Sequence, residues 1–294
     1  MSITTSQQIT RYFEEYGNTE VTFTRDVIKA LRLYPKQVFL KCLGYQWPCI
    51  IYSSSMAGAK LVMNVNSTVR GVIKKANNLV SVRFSFIQPD KSDPLAFFVS
   101  ARIAGYTPYG KEKPDLSFVT LNFTQRPADD LIEVLGRLIE ANANAKKRRE
   151  ERILMTADTL KKIGIAAKNT TLSIQGVPRK CILRDLSFSG AMVIIMGVAK
   201  FLLGKEAVLE LDLVDPDEKV LLPGKAIRFE PVEGRTDIAA LAVKFDDDQV
   251  PVNYKLRLNN HLRTVKPKAA TPEPDIEDGG GGNEGTADGV EENE

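Results

Sequence analysis

The chain has 294 residues, 43% hydrophobic and 26% charged, a globular composition with room for about two domains of ~100–200 residues each. Its 40 Lys+Arg against 37 Asp+Glu leave a net charge of only +3, so bulk polyanion binding is not written in the total. No apolar run approaches the roughly 18 residues that span a bilayer. Met1–Thr5 lacks the basic and apolar stretches of a signal peptide, so a cytoplasmic protein without a transmembrane segment is expected.

The small total is a cancellation. Nine acids (Glu273, Asp275, Glu277, Asp278, Glu284, Asp288, Glu291, Glu292, Glu294) and no base lie between Ala270 and Glu294. The rest of the chain holds 40 bases against 28 acids, a balance of +12. Cys42, Cys49 and Cys181 are odd in number and sit in apolar stretches, as buried thiols in a reducing compartment do. His261 is the single histidine, and with no close cysteine pair no metal site is expected.

Along the chain, Ile9, Tyr12, Phe13 and Tyr16 fall at helical spacing, with Gly17 as a stop. Six runs rich in β-branched and aromatic residues follow: 38–40, 48–52, 60–63, 80–86, 96–99 and 118–121. Gly58, Asn77-Asn78, Pro89-Asp90 and Pro108-Tyr109-Gly110 punctuate them. Pro127, Asp129 and Asp130 suit the first turn of a helix, whose apolar stripe is Leu131, Leu135, Leu138 and Ile139, and whose end is expected near Asn144. In the second half, runs at 181–184 and 191–195 flank the tight 185–190 segment, 209–213, 227–230 and 241–245 alternate cleanly, and Tyr254, Leu258 and Leu262 mark a closing helix. The expected class is mainly β: two small antiparallel barrels joined by a helix and a basic linker. The expected division is a first barrel with terminal helices over 1–144, a second over 145–265, and a disordered acidic Gly-rich tail over 266–294. No fixed-period repeat is visible.

Enzyme signatures are missing. Gly197 to Gly204-Lys205 has six residues between its glycines instead of four, and Glu206 stands where a phosphate loop needs a hydroxyl. Ser187 and Ser189 lie near Gly190 without a Gly-x-Ser-x-Gly elbow. His261 on the last helix reads as a surface or packing residue, and Asp246-Asp247-Asp248 as a solvated loop. No catalytic residue is expected, and the chain is read as a non-enzyme.

The linker Lys146-Lys147-Arg148-Arg149-Glu150-Glu151-Arg152 has an ordinary explanation when taken alone, since cations favour a helix C-terminus by ~0.3–1 kcal/mol. A second element downstream changes its meaning. Arg148 and Arg152 form Arg-x-x-x-Arg; Asp185, Ser187 and Gly190 form Asp-x-Ser-x-x-Gly at a strand-turn-strand corner. In that order, followed by alternating strands and a closing helix, over about Ala145–Thr264, these residues resemble the signature of the PilZ family of bacterial cyclic di-GMP receptors. The 32 residues between the two elements, Ile153 to Arg184, stand at the long end of the family's spacing. The first half is more loosely similar to the N-terminal barrels of flagellar-brake proteins, with a spirochaetal wording.

The resemblance implies cyclic di-GMP as ligand and no other cofactor. Arg148 and Arg152, supported by Arg149, would take guanine edges and phosphates, because a guanidinium fork matches O6 and N7 bidentately. Asp185 would accept from a guanine's N1–H and N2–H₂. Ser187 would add a hydroxyl, and Gly190 a close backbone approach or a positive φ. Lys147 holds the position that influences whether one dinucleotide or a stacked pair binds, and leaves that open. Glu150 and Glu151 would hold the arginines apart or pair with them in the absence of ligand. The implied mechanism is a mobile linker that the ligand orders, fixing the angle between the barrels and engaging an unidentified protein partner of the flagellar or envelope machinery, with no nucleic acid bound. Two other readings stand beside it: a single-stranded nucleic-acid binder using Phe84, Phe86, Tyr106 and Tyr109 as a stacking platform, and a PilZ adaptor that acts without ligand.

Overall fold

The computed structural model describes residues 4–88, 92–110, 115–197 and 199–264; the tail expected over 266–294 lies outside the described residues. The first unit runs α1 (Ser6–Tyr16), β1 (Val21–Thr22), α2 (Arg25–Leu31), β2 (Phe39–Cys42), β3 (Tyr45–Pro48), β4 (Ile50–Ser54), β5 (Gly58–Asn64), α3 (Ser67–Lys75), β6 (Leu79–Phe86), β7 (Leu95–Pro108), β8 (Leu116–Phe123) and α4 (Asp129–Lys147). The second runs β9 (Ile153–Leu154), α5 (Ala157–Ile163), β10 (Asn169–Ile174), β11 (Val177–Leu186), β12 (Gly190–Met196), β13 (Glu206–Leu213), β14 (Glu218–Val232), β15 (Arg235–Phe245) and α6 (Val252–Thr264). The boundary expected at 144/145 falls inside α4.

Period-2 alternation builds the strands: Ala207, Leu209, Leu211 and Leu213 of β13 are buried while Glu206 and Asp212 face out. The second sheet has the order β10-β13-β14-β15-β12-β11-β9, and a β10–β11 ladder closes its six longer strands into a barrel. The first sheet, β1-β4-β5-β8-β7-β6-β2-β3, is a curled half-barrel. The single run expected over 48–52 breaks at Cys49, so that β3 and β4, consecutive in the chain, fall toward opposite ends of this sheet. Among the described residues no ladder joins them. Each sheet encloses its own apolar core, and all three cysteines are buried in these cores. Burial raises their thiol pKa values, to about 12 for Cys49 and about 11 for Cys181.

The helices missed from the sequence announce themselves by caps rather than stripes. Thr24, Asn66 and Thr156 accept from the amides of Val27, Val69 and Thr159 at 3.3, 2.9 and 3.2 Å, closing the first turns of α2, α3 and α5. The long helix α4 carries the expected stripe, and Gly136 lets α1 lie against it. A Cβ there would stand 2.4 Å from the Tyr12 ring.

The two units also repeat one plan that the sequence does not display. β1 pairs with Ser53 and Ser54 as β9 pairs with Asp185 and Leu186. Thr24 caps α2 as Thr156 caps α5. Ser55 N–H donates to the Gly58 carbonyl at 2.8 Å, as Ser187 N–H donates to Gly190 at 2.8 Å. The repeat lives in backbone hydrogen bonds, which tolerate different side chains.

Polar groups join the units. Glu140 of α4, nearly buried, accepts from Tyr12 Oη at 2.9 Å and Asn259 Nδ2 at 3.3 Å, and pairs with Arg11 and with Arg263 Nε at 3.5 Å. Asn144 donates to Asn259 at 2.7 Å. On the other side, Lys29 of α2 meets Glu218 at 2.5 Å.

Candidate functional site

The corner between β11 and β12 is built by its backbone. Besides the Ser187–Gly190 bond, Phe245 N–H donates to the Ser189 carbonyl at 2.7 Å, and Tyr254 Oη reaches the Ser187 carbonyl at 2.7 Å. Gly190 has no positive φ; what requires glycine is space, since a Cβ would lie 2.4 Å from the Val243 carbonyl oxygen. The Ser187 hydroxyl, buried, bonds to the Gly190 carbonyl at 3.2 Å and lies 3.4 Å from Ser189 Oγ.

Asp185 stands just after a register shift in β11 and is 5% exposed. A carboxylate so enclosed needs a cation. Arg152 supplies it, Nη1 to Oδ1 at 2.5 Å, because Ile153 and Leu154 pair directly with Leu186 and Asp185. The two halves of the signature are thus in direct contact.

The helix before the linker runs further than expected. α4 continues past Asn144 to Lys147, and Arg148 N–H closes its end on the Asn144 carbonyl at 2.8 Å. The Arg149 carbonyl accepts from Ser189 N and Oγ at 3.3 and 3.0 Å. Its guanidinium lies 2.7 Å from Asp247 and 3.7 Å from Glu150, while Arg148 lies 3.8 Å from Glu151. Glu150 and Glu151 do pair with the arginines, as expected. Every guanidinium of the segment has a carboxylate within reach. Lys147, exposed in the last turn of α4, has no ion-pair partner among the described residues. The pairs of Arg148 and Arg149 are solvent-exposed, worth about 0–1 kcal/mol each, and a stronger anion can displace them.

The sequence reading missed Ser189 and Asp247. Ser189 hides in an unspecified position of the motif, and Asp247 lies in an acidic run with the look of a solvated loop; only the fold brings it to the linker. Of the proposed stacking aromatics, Phe84 and Phe86 are core residues, and Arg70 lies over Tyr106. The matching corner of the first unit has Tyr16, Gly17 and Glu20 at the places of Arg148, Arg149 and Arg152, and Ser53 at that of Asp185. Ser53 donates there to Glu20, so the basic chemistry belongs to the second unit. No cluster of potential metal ligands occurs among the described residues. No described helix is long and apolar enough to cross a membrane.

A barrel with an Arg-x-x-x-Arg segment laid across an Asp-x-Ser-x-x-Gly corner defines a class, and comparison with known proteins agrees. The PilZ domain profile matches residues 146–262 and the PilZN3 domain profile residues 7–142. The chain belongs to the PilZ family, as a two-domain member. It is 43% identical over 270 residues to the cyclic di-GMP binding protein of Treponema denticola, covering 92% of this chain and 86% of that one. Among solved structures it is similar to Borreliella burgdorferi PlzA in complex with c-di-GMP (23% identity, 87% of this chain and 98% of that one, TM-score 0.40). It is also similar to Escherichia coli YcgR in complex with c-di-GMP (16% identity, 81% and 87%, TM-score 0.27).

Proposed function

We propose that the chain is a non-catalytic receptor for cyclic di-GMP, bound where the Arg148–Arg152 segment meets the Asp185–Gly190 corner. The observation that carries this reading is the Arg152–Asp185 contact at 2.5 Å with Arg148 and Arg149 on the same short segment. Three guanidiniums and one enclosed carboxylate offer complementary groups to two phosphates and to guanine edges, which present acceptors at O6 and N7 and donors at N1 and N2. Arg148, Arg149 and Arg152 take phosphate and the O6/N7 edge; Asp185 turns to N1–H and N2–H₂. Ser187 and Gly190 hold the corner to which the ligand is applied, and Lys147 borders it.

Arg148 also ends α4, the helix that docks on α6 through Glu140 and Asn144. Rearranging the segment around a ligand therefore acts on the joint between the units. The joint combines these polar pairs with the apolar contacts of Val252 on the first core and Ala145 on the second, and any change is bounded by the ligand's differential affinity for the two arrangements. The altered surface would then address a protein partner, in motility or envelope control.

Guanine recognition separates this reading from plain anion binding. Calorimetry on the full chain should show cyclic di-GMP bound at least about 100-fold more tightly than cyclic di-AMP, which lacks the O6 acceptor and the N2 donor. Equal affinities would overturn it. Steeply salt-dependent binding of long single strands, with no preference for the dinucleotide, would favour the nucleic-acid reading.

A further inference from the structure

Three of the carboxylates that hold the arginines in place belong to the signature or to the linker itself: Asp185, Glu150 and Glu151. Asp247 belongs to neither. It follows β15 in a short 3-10 turn, Asp247–Gln249. That turn is fixed by Asp246 N–H to the Pro223 carbonyl at 2.9 Å and Gln249 N–H to the Asp246 carbonyl at 2.9 Å. One residue earlier, Phe245 N–H is tied to the Ser189 carbonyl, and Ser189 in turn holds the Arg149 carbonyl. Both ends of the Arg149–Asp247 pair are therefore anchored to the same corner. Glu150 and Glu151 travel with the linker, whereas Asp247 stays with the barrel.

From this geometry we infer that Asp247 is a built-in competitor for the ligand: its carboxylate occupies Arg149 in the unliganded protein and must be displaced when an anionic dinucleotide binds. The inference rests on the proposed receptor function and adds how affinity is set. A carboxylate fixed beside the site both holds a guanidinium that the ligand needs and repels the ligand's phosphates. Once displaced, it is not stranded. Lys255, half-buried in the first turn of α6, has its pKa lowered by burial, with Asp247 and Asp248 as the opposing favourable charges and Lys146 unfavourable. The Asp247 side chain is also half exposed, so once displaced it is held by water and by the favourable field of Lys255 on α6, the helix that packs on α4. The competitor sits between the ligand site and the joint of the two units.

Substitution of adjacent acids separates the ion pair from the general field. Asp248 carries the same charge one residue on and makes no salt bridge among the described residues, so Asp248→Asn serves as the control. In calorimetry on the full chain, Asp247→Asn should bind cyclic di-GMP about fivefold more tightly than wild type, and Asp248→Asn less than about twofold. In an Arg149→Gln background the gain from Asp247→Asn should vanish, as a double-mutant cycle requires. Equal effects of the two asparagine variants, weaker binding by Asp247→Asn, or a gain that persists without Arg149 would overturn the inference while leaving the receptor function standing. A wild-type chain that binds no cyclic di-GMP would overturn both.

Discussion

Gly190→Val is expected to weaken cyclic di-GMP binding by more than about tenfold and to lower the stability of the second barrel by about 1–3 kcal/mol. The Cβ would meet the Val243 carbonyl oxygen at 2.4 Å and its carbon at 3.4 Å. These are backbone atoms of the paired strand, so no side chain can swing aside. β12 and β15 must part where Gly190 faces Lys244, and the Phe245–Ser189 bond lies in the same corner. Ser189 positions Arg149, so the damage reaches the linker. The repeat supplies the control. Gly58 has the same constraint, 2.3 Å from the Leu121 carbonyl oxygen, but its corner faces Glu20 instead of an arginine. Gly58→Val should destabilise the first unit in urea unfolding and leave the ligand affinity of the folded protein near wild type. Unchanged calorimetric affinity in Gly190→Val would show that the corner does not shape the site.

Glu140→Ala is expected to cost about 3 kcal/mol in urea unfolding. Its carboxylate is the common acceptor for Arg11, Tyr12, Asn259 and Arg263, drawn from α1 on one side and α6 on the other. Burial pushes the Tyr12 phenol well above its ordinary pKa, and the neighbouring carboxylate adds to this, so the hydroxyl stays a donor. Without Glu140, the Tyr12 hydroxyl loses its acceptor and Arg263, 15% exposed at its side chain, loses its counter-charge. Arg11 is about half exposed and water replaces its partner, so the loss concentrates on Arg263, Tyr12 and the buried Asn259 amide. A change under about 0.5 kcal/mol, the usual effect of a surface substitution, would mean that Glu140 does not bind the units together.

The legible parts of the chain were those with strong periodicity or a motif. Leu131, Leu135, Leu138 and Ile139 define α4, and Leu209 and Leu211 define β13, because one buried face imposes its period on the residue types. Asp185 and Arg152 were readable because a fixed spacing of charged and small residues accompanies the family's corner. Short helices were not readable: α2 and α5 have seven residues each, too few to show a stripe, and their caps at Thr24 and Thr156 resemble any turn residue. The repeat was illegible for a different reason. What the units share is a pattern of backbone bonds, and Glu20 standing where Arg152 stands hides it. Long-range pairs such as Arg149–Asp247 and Arg263–Glu140 leave no local mark, since each depends on where the fold brings distant segments.

The most direct measurement is calorimetric titration of the full chain with cyclic di-GMP, wild type against Arg148→Ala/Arg152→Ala. Hydrogen bonds to charged groups contribute about 1.5–3 kcal/mol each, so losing both guanidiniums should weaken binding by at least about 100-fold. A companion Arg148→Ala/Arg152→Lys keeps a cation beside the enclosed Asp185 carboxylate and should still bind poorly, because an ammonium lacks the fork. Loss of binding in both variants, with the fold intact by circular dichroism, is the expected result; wild-type affinity in either would contradict the assignment of the site.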